Sequence, residues 1–167
     1  LVIVANSMGC QVSAALCVLR PVRARALVFI GPTLDPANRD LGRLLVRFVG
    51  TGFFERLSLP WRLLVDYARM GWRRYVEELR HMRADRIERR LPYVSAPTLV
   101  LRGSQDLVVP AAWASHVTGL LPDGRLITVP GWGHALHHGV PDEVAALVRA
   151  FVTSVSTPPL PAQVTPR

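Results

Sequence analysis

Three residues of this chain have side chains of the types that together can attack a carbonyl carbon and expel its leaving group: a hydroxyl, a carboxylate and an imidazole. Ser7 stands in "LVIVANSMGC", Asp106 in "LRGSQDLVVP" and His134 in "VPGWGHALHH". An alcohol does not attack at neutral pH without a base within hydrogen-bond reach. A neutral imidazole can take the hydroxyl proton, and a carboxylate can fix the tautomer that leaves the imidazole ready to do so. The chain order, nucleophile then acid then histidine, is one of the known orders for such a triad. Ser7 also sits in a pattern close to Gly-x-Ser-x-Gly, a tight strand-to-helix turn that exposes its serine. The positions two before and two after are Ala5 and Gly9, both small.

Each assignment has a rival. Asp35, after "GPTL", is a second candidate acid, and Asp106 could instead cap or brace the turn before a helix at Pro110. His137 and His138 lie further into the next segment than His134, which directly follows a glycine-rich turn. His81 and His116 fall within predicted helices and read as surface residues. No Cys/His/carboxylate spacing suits zinc, and there is no glycine loop of the phosphate-binding kind. The reading therefore calls for no metal and no cofactor.

Those three residues need elements that bring them to one place. Four short runs rich in β-branched residues read as strands: 1–5, 26–30, 97–103 and 125–131. Helical patterns separate them, which predicts an α/β fold with a mostly parallel sheet and buried strands. In such a sheet the carboxyl ends of the strands share one edge, and ligands bind there. A small, apolar helix starts directly after Ser7, is expected to be buried all round, and is expected to stop at Pro21. The last helix starts at Pro141, with Asp142 and Glu143 in its first turn, and carries Val144, Leu147, Val148, Phe151, Val152 and Val155 at helical spacing. Residues 35–92 form a long, arginine-rich and aromatic insertion, expected to be a helical cap or lid on a core made of 1–34 and 93–156. The proline-rich stretch 157–167 is expected to be a disordered tail.

Composition narrows the function classes. The chain has 167 residues, enough for one domain with a sizeable core. No apolar run approaches the ~18 residues of a membrane span, and no membrane role is expected. Cys10 and Cys17 lie about two helical turns, or ~10 Å, apart on one helix, too far for a disulfide. They predict free thiols in a reducing, cytoplasmic setting. The net charge of +8 comes entirely from arginines, but they are dispersed rather than clustered, so no nucleic-acid partner is expected. The chain opens in mid-strand without an initiator methionine or a signal peptide, which leads us to expect a piece of a longer protein.

Taken in order around a helical insertion, "ANSMG", "LRGSQDLVVP" and "PGWGH" resemble the α/β-hydrolase superfamily over about residues 1–156. "NSMG" is also similar to the elbow of the meta-cleavage-product hydrolases, which cleave carbon–carbon bonds. The resemblance implies a C-terminal part of an α/β-hydrolase fold, the nucleophile strand and the three that follow. It implies a serine hydrolase of a small-molecule acyl substrate, an ester or thioester, with Ser7, His134 and Asp106 as its triad. Homo-oligomers are compatible with it. It places one oxyanion amide on the residue after the nucleophile, Met8, and the other on an earlier segment that this sequence does not contain. Loss of one such donor typically costs ~100- to 1,000-fold in turnover. Residues 1–167 alone are therefore expected to be inactive or to aggregate through an exposed first strand. Two competing readings are a carbon–carbon hydrolase, which would want an arginine near its pocket for a carboxylate, and a non-catalytic ligand-binding member of the same fold. Two departures from the family pattern, Ala5 and Cys10 for glycines, are small enough to leave the elbow intact.

Overall fold

A computed structural model describes residues 1–19 and 24–155. Pro21 and the stretch 157–167 lie outside the described residues. Strands β1 (Val2–Asn6), β2 (Ala26–Ile30), β3 (Thr98–Gly103) and β4 (Gly124–Val129) form one all-parallel sheet in the order β1-β2-β3-β4. The strands fall where the sequence puts them, within two residues at each end. β4 ends earlier than expected because the chain turns out of the ladder before Gly131, whose φ is +80°.

Every residue of β2 and β3 is buried, because helices cover both faces. Alternation sorts the side chains. Leu27, Phe29 and Val100 join one core with α1 (Met8–Leu19) and α5 (Ala111–Leu120). Val28, Ile30, Leu99 and Leu101 join the other with α7 (Pro141–Ser154), through Val144 and Phe151. Leu147, Val148, Val152 and Val155 pack against that second core, so the last helix docks by the predicted face.

One expectation requires correction. α1 is not buried all round: Cys10 and Ala14 are fully covered, whereas Val12 and Leu19 are 60% and 71% exposed. Small apolar residues alone do not bury a helix; a second layer must cover its outer face, and among the described residues none does. β1 is only partly buried, with Val4 52% exposed, in line with the expected exposed first strand: it lies at the edge of the sheet and pairs on one side only.

The long connection from β2 to β3 holds three helices: α2 (Leu41–Gly52), α3 (Ser58–Met70) and α4 (Trp72–Ala84). Asp40 caps α2 by accepting from the Arg43 amide. Gly71, at φ +83°, supplies the left-handed residue that turns α3 into α4. Neither α3 nor α4 has a fully buried residue, so this pair adds mainly a wall, with Met82 packing against the first core. Its two tyrosines, Tyr67 and Tyr75, meet with ring centroids 4.8 Å apart. Between α4 and β3, the 3₁₀ turns put Ile87, Leu91 and Val94 into the first core.

The buried core and the open side of α1 predict a contrast measurable by urea denaturation. Phe29→Ala should cost about 3–5 kcal/mol as a fully buried ring is lost. Val12→Ser, on the open side of α1, should stay within about 0.5 kcal/mol.

Candidate active site

Ser7 lies between the end of β1 and the first residue of α1, at φ +53°. Among the described residues it is the one non-glycine with a positive φ, a conformation that costs energy for a side chain with a Cβ. Backbone bonds hold it there: the Ser7 amide donates to Ile30 O at 2.9 Å, and Cys10 N donates to Ser7 O at 3.0 Å. Asn6 adds a brace, its Nδ2 donating to Ile30 O at 3.1 Å and to His134 O at 3.5 Å. Alanine at position 5 fits, since a Cβ at Gly9 would sit at an ordinary 3.7 Å from Ala5 Cβ. Cys10 is fully buried, its thiol pushed far up by that burial, and acts as packing. Met8 opens α1, so its N–H belongs to the first turn, where the helix itself offers no acceptor.

Asp106 and His134 meet beyond the ends of β3 and β4. His134 Nδ1 donates to Asp106 Oδ2 at 2.8 Å, and both residues are buried. A carboxylate can only accept here, so Nδ1 carries the proton and the neutral ring's Nε2 keeps its lone pair. Asp106 is itself held by its other oxygen, Oδ1, which accepts from Val108 N and Val109 N, each at 2.9 Å. Arg102, at the end of β3, staples the same loop by donating to Val109 O, Asp106 O and Ser104 O. Burial disfavours the charged imidazole of His134. The Asp106 carboxylate, its hydrogen bond and, further off, Glu55 more than offset that, and the His134 pKa lies above the ordinary 6.5.

Gly31 explains how the pair fits against the sheet. It follows β2 at φ +55°, and a Cβ there would fall 2.8 Å from both Nδ1 and Cε1 of His134. Position 31 must therefore be glycine for two reasons, its backbone and the ring above it. Gly103 has a similar role at the end of β3, where a Cβ would overlap the carbonyls of Trp132 and Gly133.

Ser7 and His134 line one cavity of about 440 Å³. Its walls come mostly from the insertion: Leu44, Phe48, Tyr67, Trp72 and Tyr75, with Val108 from the acid loop. No arginine is among the described lining residues. Thr33 also faces it, with a buried Oγ1 that finds no hydrogen-bond partner. The hydrogen bonds of the site join Asp106 to His134 but, among the described residues, do not join His134 to Ser7.

The rival residues have other employment. Asp35 caps a short 3₁₀ turn, accepting from Ala37 N and from Asn38 Nδ2, each at 2.9 Å. His138 Nε2 pairs with Ser58 Oγ at 2.9 Å, and His137 is held below the ordinary range by burial and by His138 and His134. His116 stacks on Trp113 on α5, and His81 lies on α4. Sequence reasoning missed Asn6, Gly31, Thr51, Glu55 and Arg102. Gly31 had a signal, as a glycine just past a strand. The contacts of Thr51 and Glu55 cross more than fifty residues and left none.

Comparison with known proteins bears on the family and the fold. The profile described as "Alpha/beta hydrolase family" matches residues 1–147. A pimeloyl-[acyl-carrier protein] methyl ester esterase from Xanthomonas oryzae pv. oryzae (strain MAFF 311018) is 36% identical over 69 residues, covering 41% of this chain and 27% of that protein. The protein of the same name from Stenotrophomonas maltophilia (strain K279a) is 28% identical over 123 residues, covering 70% of this chain and 48% of its own length. The chain thus spans about a quarter to a half of these curated relatives. Among solved structures, the α/β hydrolase MGS-MChE2, from a lagoon-sediment metagenome of Mar Chica, Morocco, superposes with a TM-score of 0.69 at 19% identity, over 94% of this chain and 63% of that one. CarC, a serine hydrolase involved in carbazole degradation, gives 0.68 at 23% identity, over 92% and 63%. With the profile matched over most of its length and the fold shared with these structures, this chain belongs to the alpha/beta hydrolase family.

Proposed function

We propose that this chain carries the catalytic residues of a serine esterase, with Ser7 as nucleophile, His134 as general base and Asp106 as the group that orients it. The observation that carries this reading is the buried Asp106–His134 hydrogen bond, beside a cavity that His134 shares with a serine held at φ +53°. Ser7 Oγ attacks the ester carbonyl while His134 Nε2 takes its proton. The Met8 N–H donates to the oxygen that becomes negative. His134 returns the proton to the leaving alcohol, and an acyl group remains on Ser7. Water, activated by the same Nε2, then releases the acid and restores the hydroxyl. The 35–92 insertion acts as a cap over this chemistry, and its leucines and aromatic rings favour an apolar, uncharged acyl group. The names of the esterase relatives support ester over other carbonyl substrates. The carbon–carbon hydrolase reading is weakened, because no arginine that a carboxylated substrate would want lines the cavity among the described residues.

A fluorophosphonate probe should label the full-length protein at Ser7, and Ser7→Ala should lose both labelling and turnover on an ester panel. A protein that neither labels nor turns over esters would favour a ligand-binding role. Asp106→Asn should lower kcat by roughly ten-thousand-fold by presenting the wrong tautomer. Gly31→Ala should cut kcat through the collision with the His134 ring, measurable in the same assay. The base works as neutral imidazole, so kcat/KM should be full above the raised His134 pKa and fall as pH drops through it. The acid limb of the profile should therefore lie above pH 6.5. A limb well below that value would contradict the assignment.

A further inference from the structure

We propose that Glu55, in the turn between α2 and α3, is a positioning residue for His134. This rests on the triad reading above. The turn grips the imidazole loop on both sides of the histidine. Glu55 Oε1 accepts from Ala135 N at 2.8 Å, and Phe54 O accepts from Gly133 N at 3.2 Å. Further along, Arg56 Nε donates to Gly139 O at 2.8 Å, and Ser58 Oγ pairs with His138 Nε2.

The same end of α2 also reaches the acid loop. The buried Thr51 hydroxyl accepts from Leu107 N at 3.0 Å, one residue beyond Asp106, and Arg47 donates to Leu107 O at 3.1 Å. One short stretch of the insertion therefore braces both the imidazole loop and the acid loop.

Two details single out Glu55 within that stretch. A Cβ at position 133 would sit 2.5 Å from Glu55 Oε1, so Gly133 leaves the space the carboxylate occupies. The other oxygen, Oε2, is buried and has no hydrogen-bond partner among the described residues. A half-buried carboxylate that uses one oxygen on the loop and keeps the other unpaired places a negative charge near His134. The groups that face His134 are Asp106 from the loop after β3, Glu55 from this turn and His137 from α6 (Leu136–Gly139), with Arg102 behind Asp106. Glu55 and Asp106 both favour the imidazolium that forms when Ser7 gives up its proton.

The test is to follow the His134 imidazole titration by NMR, together with ester kinetics, in the full-length protein and its E55Q and E55A variants. E55Q keeps the acceptor for Ala135 N and removes the charge. It should lower the titration midpoint of His134 and carry the acid limb of kcat/KM down with it. E55A loses the brace as well, and should lower kcat by about 10- to 100-fold with KM within about twofold. A His134 titration in E55Q that matches wild type overturns the electrostatic part, and wild-type kcat in E55A overturns the positioning. If the wild-type protein hydrolyses no ester, the esterase reading fails while the titration still decides whether Glu55 acts on His134.

Discussion

The hydrogen bond between Asp106 and His134 is the interaction on which the rest of this molecule turns. It lies inside the protein, where an unpaired carboxylate or imidazole would be costly. It persists because the groups that hold its two partners are themselves well bonded. Two amides and the Nδ1–H satisfy Asp106, Arg102 ties down the backbone around it, and Gly31 leaves space under the ring. The parallel sheet makes this possible. Four strands run in one direction, so the segments that leave their carboxyl ends, carrying residues 7, 31, 106 and 134, emerge on one edge. Sequence separations of up to 127 residues are closed by topology rather than by any local preference.

The insertion completes the site in two different ways. Its helices contribute apolar and aromatic walls to the cavity and little to the main cores, where Leu44 of α2 takes part and Met82 of α4 packs alongside. Its α2–α3 corner does the opposite and is bonded directly to the acid and imidazole loops. Wall and brace are thus built from one stretch of chain. A change in how that stretch sits would alter the shape of the cavity and the setting of the His134 ring together. The arginines follow the same division. Arg47 and Arg56 bond loop carbonyls, and Arg39 and Arg90 pair with Glu88 and Asp85, so several arginines fasten one part of the chain to another.

Much of this was legible in the sequence because its signals are local. β-branched runs broken by turns gave four strands within two residues, and apolar spacing gave the docking face of the last helix. Ser7, Asp106 and His134 could be singled out because each follows a strand, and a parallel sheet gathers such positions. The burial of α1 was misjudged because composition reports what a helix could bury, not whether a second layer exists to cover it. Glu55 and Thr51 were invisible because nothing around them repeats or alternates. Their roles arise only when residues about eighty and fifty-six positions away come into contact.

The central claim is that one hydroxyl and one imidazole act on each other across this cavity. The most direct measurement is a crystal structure of the full-length protein after reaction with a fluorophosphonate. The account predicts phosphorus bonded to Oγ of Ser7, Nε2 of His134 within about 2.6–3.2 Å of an oxygen on the adduct, and the Asp106 bond intact behind it. An adduct on a different residue, or a His134 ring turned away from an occupied Ser7, would contradict it.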